Sequence, residues 1–230
     1  MFDGNWRATV DKGLDPIGAS LRRTGITADV LTVTGIVMSG VAAVVIASGY
    51  LRVGFLLILL TGIPDALDGA VARASGTGSK RGAFFDSVSD RLTDAMLFGG
   101  VAWYLAINEP GRIMMLPVAL MGLAMWISYM RAKAESLGFD AKGGIMERAE
   151  RVLALAFGLL FPELLIGTLW VMLVLSAITA GQRFVKVWRQ ASVDHPTPPR
   201  RRTRRTPRPA RSEAAWRQRM RERRAASRQG

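Results

Sequence analysis

Long apolar runs separated by short polar breaks occupy the chain from about residue 27 to residue 188. The runs predict six helices, at about 27–49, 52–75, 82–107, 113–136, 147–161 and 163–188. Several reach the roughly 20 residues that a helix needs to cross a bilayer core. The fifth is short, and Pro162 ends it. Ahead of them, Trp6, Val10, Leu14, Ile17 and Leu21 recur at helical spacing, while Arg7, Lys12, Arg22 and Arg23 lie off that stripe. That pattern predicts an amphipathic helix on a membrane surface, bent or broken at Pro16. Gly35, Gly40, Gly49, Gly54 and Gly62 favour close packing of the first two apolar segments. The expected fold is all-α and integral to the membrane. It comprises an N-terminal amphipathic helix over 1–25, six transmembrane helices within 26–190, and a disordered basic tail over 191–230.

Half of the residues are hydrophobic, and the net charge of +13 is unevenly spread. Residues 195–230 hold thirteen Arg against two Glu, so the tail carries +11 and the remaining chain about +2. A Pro- and Arg-rich segment of this kind lacks the apolar content for a packed core. Its charge suits the anionic headgroups of a membrane, with nucleic acid as the second candidate partner. A short helix over 214–226 would set Trp216 and Met220 on one side, as a membrane surface requires. Placing the N-terminus in the cytoplasm gathers Arg7, Lys12, Arg22, Arg23, Lys80, Arg81, Lys142 and the tail inside. Only Arg52 and Arg112 then fall at outer turns. Both termini are therefore expected on the cytoplasmic side of a multi-pass protein of the cell membrane. Residues 1–23 lack the apolar core of a cleavable signal peptide. The absence of Cys excludes disulfides and thiolate metal sites. A single histidine, His195, excludes a conventional zinc site and argues against a histidine base.

Charges inside apolar helices are expensive and mark function, which singles out residues 65–90. Asp65 and Asp68 are three apart, Asp86 and Asp90 four apart, and Gly69, Ala72, Arg73 and Gly82 lie between the pairs. Each spacing puts its pair on one helix face, one turn apart. Two such helices packed antiparallel would aim four carboxylates at one point. Hard divalent cations such as Mg²⁺ take oxygen ligands of this kind, and their charge offsets the mutual repulsion of the carboxylates. A cation transporter would also use intramembrane aspartates, but transport gives no reason for the glycines, Ala72 and Arg73 at these spacings. Small residues at Gly69, Ala72 and Gly82 either pack helices or admit a nucleotide to the backbone. The permanently charged fork of Arg73 suits a diphosphate.

This stretch resembles the signature of the CDP-alcohol phosphotransferase family, D-x2-D-G-x2-A-R-x8-G-x3-D-x3-D, with every fixed position filled. The resemblance implies that Asp65, Asp68, Asp86 and Asp90 gather around divalent metal, Mg²⁺ or Mn²⁺ and two ions. That metal would bind the pyrophosphate of a CDP-linked donor. The resemblance also implies that Asp90 doubles as general base on the acceptor hydroxyl, a choice that spacing alone does not make. Gly69, Ala72, Arg73 and Gly82 would then border the nucleotide. The family forms homodimers, and the same is expected here.

A second, basic constellation follows. Residues 128–135 read Ser-Tyr-Met-Arg-Ala-Lys-Ala-Glu, residues 147–151 read Glu-Arg-Ala-Glu-Arg, and Gln182-Arg183 sits inside the last apolar run. Arg131, Lys133, Arg148, Arg151 and Arg183 thus fall near the expected cytoplasmic ends of three helices, where they would form an anion pocket for a phosphorylated acceptor. Each alone is also what a positive-inside flank supplies. The set resembles one branch of the family, the actinobacterial phosphatidylinositol phosphate synthases. That resemblance points to Arg131, Arg151 and Arg183 as phosphate contacts. The order Arg131 then Lys133 reverses the usual Lys then Arg, which keeps the charge and changes the geometry. The implied reaction joins the phosphatidyl group of CDP-diacylglycerol to a phosphorylated polyol and releases CMP. Inositol 1-phosphate is the preferred acceptor, with glycerol 3-phosphate as the alternative.

Overall fold

A computed structural model describes residues 27–74 and 80–193, together with Gln218 and Arg221; over 64–74 it describes the backbone alone. The expected surface helix of residues 5–24 and the tail residues Trp216 and Met220 lie outside the described residues. Chain contacts divide the protein into two units, Met1–Ser192 and Val193–Gly230. In the second, Gln218 and Arg221 are helical and exposed.

The described residues of the first unit form six α-helices, and no strand occurs among the described residues. They are α1 (Ala28–Ala47), α2 (Leu51–Ala74), α3 (Lys80–Asn108), α4 (Met115–Ser136), α5 (Arg148–Leu160) and α6 (Leu165–Ser192), with a 3₁₀ turn at Pro162–Leu164. Local chemistry sets several of the ends. The Thr27 hydroxyl caps α1 by accepting from Val30 N at 3.4 Å. Gly49, at φ +91°, makes the reversal into α2. Gly138, at φ +85°, closes α4 in a Schellman motif, with Phe139 N donating to Ala134 O and Gly138 N to Glu135 O.

Helix α1 packs against α2 and α3, α3 against α4, α4 against α6, and α5 against α2 and α6. Ile46, Ile58, Val101, Leu120, Leu159 and Met172 are fully buried at these contacts. Helices α1 and α3 cross backbone to backbone at Gly100, where an added Cβ would stand 2.5 Å from Ala43 O. Sequence reading passed over Gly100. Of the glycines it named, Gly54 lies against Ile46, Gly49 serves the turn, and Gly62 has open space around it.

The outward surface is apolar. Val30, Val33, Val37, Val41 and Val44 form one exposed stripe along α1, and Trp170, Val171, Val174 and Ile178 another on α6. Surface of this extent is what a bilayer solvates. Ala28–Ala47, Met115–Ser136 and Pro162–Ser192 are each long and apolar enough to cross a membrane, and Leu51–Ile63 is a shorter apolar stretch. Helices α2 and α3 carry the acidic motif, which lowers their hydropathy. The 13 residues of α5 span only about 20 Å at 1.5 Å per residue.

The segment between α4 and α5 is fastened to one stripe of α6. Gln190 Oε1 accepts from Asp140 N at 2.9 Å, and Gln190 Nε2 donates to Asp140 O at 2.6 Å. Lys186 Nζ donates to Asp140 Oδ2 and to Lys142 O, both at 2.8 Å. Arg183 donates to Gly143 O at 3.0 Å, and Thr179 Oγ1 accepts from Ile145 N and Met146 N at 3.2 and 3.0 Å. The side-chain bond from Lys186 and the backbone bond from Lys142 hold the Asp140 carboxyl below its ordinary value. Polar side chains at four- and three-residue intervals thus satisfy an irregular backbone and fix where α5 begins.

Candidate active site

Helix α3 presents Asp86, Asp90 and Asp94 at successive four-residue steps, about 6 Å apart along one face. Asp86 and Asp90 open onto a cleft bounded by Leu31, Thr32, Gly35 and Ser39 of α1, Thr61 of α2, Ser89 and Thr93 of α3, and Arg148 of α5. Helix α2 contains Asp65, Asp68, Gly69, Ala72 and Arg73, whose side chains lie outside the described residues. Along α2, Asp65 and Asp68 follow Thr61 of the cleft by four and seven positions. Carboxylate and hydroxyl oxygens from two helices are the donor set that a hard divalent cation requires. Gly82 stands in the first turn of α3.

The basic residues divide into two groups. Arg148 Nη1 is 3.0 Å from Asp90 Oδ1, and its Nη2 donates to Thr93 Oγ1 at 3.4 Å. Arg91 Nη2 is 3.3 Å from Asp90 Oδ2, and its Nη1 donates to Ser128 Oγ. Both oxygens of Asp90 therefore face guanidinium groups. Arg151 is buried against Asp94, with Nη2 2.7 Å from Oδ2, and its Nη1 reaches Met146 O at 3.4 Å. Arg183, also buried, donates to Ile127 O of α4 at 3.1 Å and to Glu147 Oε1 at 3.1 Å. Its bonds to residues 143 and 147 place it beside the start of α5, next to the Met146 carbonyl that Arg151 touches. Arg131 lies one turn beyond Ile127, exposed and paired with Glu135 at 2.9 Å; Lys133 is exposed in the last turn of α4.

Asp86, Asp90 and Arg148 thus share one cleft. Arg151 and Arg183 lie close by, already engaged by protein groups, and Arg131 and Lys133 sit toward solvent. Sequence reading missed Asp94 and Arg91. Asp94 was visible as the third acidic residue at four-residue spacing; Arg91 carried no signal beyond adjacency to Asp90.

The family model for CDP-alcohol phosphatidyltransferase matches residues 25–185. The chain belongs to that family. It is 33% identical over 192 residues to the phosphatidylinositol phosphate synthase of Mycobacterium marinum, a match covering 79% of this chain and 82% of that protein. Two crystal structures of the phosphatidylinositol phosphate synthase of Mycobacterium tuberculosis share its fold at TM-score 0.74 and 32% identity, covering 79% of this chain. One has CDP-DAG bound and is covered over 97% of its length. The other is a complex with manganese and citrate and is covered over 92%. Of the eight signature positions, Asp86 and Asp90 line the cleft, and the other six lie on α2 and in the first turn of α3.

Proposed function

We propose that this protein transfers the phosphatidyl group of CDP-diacylglycerol to inositol 1-phosphate, giving phosphatidylinositol phosphate and CMP. The observation that carries the reading is the position of Asp90. It lines the cleft beside Asp86 and at the same time contacts Arg148, one of the basic residues. One carboxylate therefore stands between the donor's diphosphate and the acceptor's phosphate. The names of the relatives favour inositol 1-phosphate over glycerol 3-phosphate.

In the proposed step an acceptor hydroxyl oxygen bonds to the lipid-side phosphorus, the bond from that phosphorus to CMP breaks, and Asp90 takes the hydroxyl proton. Divalent metal, Mg²⁺ or Mn²⁺ and two ions in this reading, would be held by Asp65, Asp68, Asp86 and Asp90 and would neutralise the diphosphate and the charge passing to CMP. Gly69, Ala72 and Gly82 leave room for the cytidine, and Arg73 binds phosphate oxygens. Arg131, Lys133, Arg148, Arg151 and Arg183 hold the acceptor's own phosphate. For Arg151 and Arg183 this means offering a guanidinium edge while keeping their buried anchors.

All six helices cross the membrane in this proposal, with the motif end facing the cytoplasm, where Lys80, Arg81 and Lys142 lie. The tail rests on anionic headgroups, and the protein works as a homodimer. The deciding experiment is CMP release by the purified protein in detergent with CDP-diacylglycerol and Mg²⁺, offering inositol 1-phosphate, glycerol 3-phosphate, inositol and serine separately. Turnover with inositol 1-phosphate alone is expected. Turnover with glycerol 3-phosphate alone would overturn the acceptor assignment and leave the metal motif standing.

A further inference from the structure

Asp94 is a buried carboxylate that the proposed step leaves unused. It is 4% exposed, and Arg151 beside it is 3% exposed. Buried charges persist only when paired, so each holds the other in place. Asp94 also has a second cation in reach: its Oδ1 is 4.0 Å from Arg148 Nε. Arg148 in turn lies 3.0 Å from Asp90. Cations and anions therefore alternate along Arg91, Asp90, Arg148, Asp94 and Arg151. The run joins the proposed proton acceptor to the proposed phosphate-binding arginines. An acceptor hydroxyl that approaches Asp90 competes with the two guanidinium groups for its oxygens. Arg148 has a second carboxylate within reach, since its Nε already stands 4.0 Å from Asp94 Oδ1.

We propose that Asp94 is a positioning residue for the phosphorylated acceptor: it anchors Arg151 and receives Arg148 when Asp90 engages the acceptor hydroxyl. The proposal rests on the acceptor reading above. It explains why a buried carboxylate sits one turn beyond the family signature. Without Asp94, Arg148 loses a carboxylate at 4.0 Å and Arg151 loses the one that it contacts at 2.7 Å.

The test is steady-state CMP release with donor and acceptor varied separately, on wild type, Asp94→Asn, Asp94→Glu and Arg151→Gln, and on Asp94→Asn combined with Arg151→Gln. Asp94→Asn should raise the acceptor KM about tenfold or more, as expected for loss of a charged contact, and leave the donor KM within about twofold. Asp94→Glu should restore part of the loss. The double variant should be little worse than Arg151→Gln, because both changes act through one contact. An unchanged acceptor KM, equal rises in both KM values, or additive losses would overturn the proposal. Labelling with an arginine-selective dicarbonyl, mapped by mass spectrometry, needs no acceptor. Arg151 should react faster in Asp94→Asn, or in Asp94→Glu should the Asn variant not fold; unchanged reactivity would overturn the anchoring role. Wild type that uses only another acceptor would overturn the acceptor reading, while the labelling still decides Asp94.

Discussion

Asp90 meets two demands at once: it borders the acidic cleft and is gripped by Arg91 and Arg148 on separate oxygens. If it is the base, Asp90→Asn should lower CMP release by about 10²–10⁴-fold while CDP-diacylglycerol binding persists. Near-wild-type turnover would remove it from that role. The expected set Asp65, Asp68, Asp86 and Asp90 came from spacing and residue type, and the structure brings Asp86 and Asp90 to one cleft. Their partners were not legible in the sequence. Arg91 reaches Ser128 of α4, and Arg148 crosses from α5 to α3, contacts that no local pattern encodes. Arg151 and Arg183 were expected as phosphate contacts, and each also serves the packing of α5.

At the scale of elements, the apolar runs located all six helices to within a few residues, since each break holds a turn residue or a charge. The fastening of residues 140–146 to α6 was invisible, because a stripe of Thr179, Arg183, Lys186 and Gln190 looks like an ordinary polar flank. The Asp140–Lys186 contact gives it a pH signature. The Asp140 carboxyl titrates below its ordinary 3.8 in the folded chain. Its stabilising contribution is therefore complete above that value and lost as pH falls through the lower folded one. Thermal unfolding in detergent should show wild type losing its advantage over Asp140→Asn as pH drops below about 4. Parallel pH curves for the two proteins would count against the contact.

Among the described residues of the first unit, the cleft residues Asp86, Asp90 and Arg148 and the buried Asp94, Arg151 and Arg183 lie close together in an otherwise apolar helix assembly, as a reaction between a lipid and a soluble molecule needs. Chelating divalent metal should stop CMP release, and restoring Mg²⁺ or Mn²⁺ should recover it; undiminished turnover in chelator would refute the metal site. The net charge of +13 says little about that site, because most of it belongs to the tail. The membrane character, by contrast, was plain from the valine stripe of α1 and the apolar length of α4 and α6.

The stripe on α6 also restricts how the gene can drift. Thr179 to Gln190 covers about 16 Å of helix, and the backbone from Asp140 to Met146 runs alongside in the opposite direction, bonded at four points. One inserted residue between Thr179 and Gln190 would rotate everything beyond it by about 100° and pull the later contacts off their carbonyls. Substitution on the other faces of α6 has no such effect. This part of the chain should accordingly tolerate changes of letter far better than changes of length.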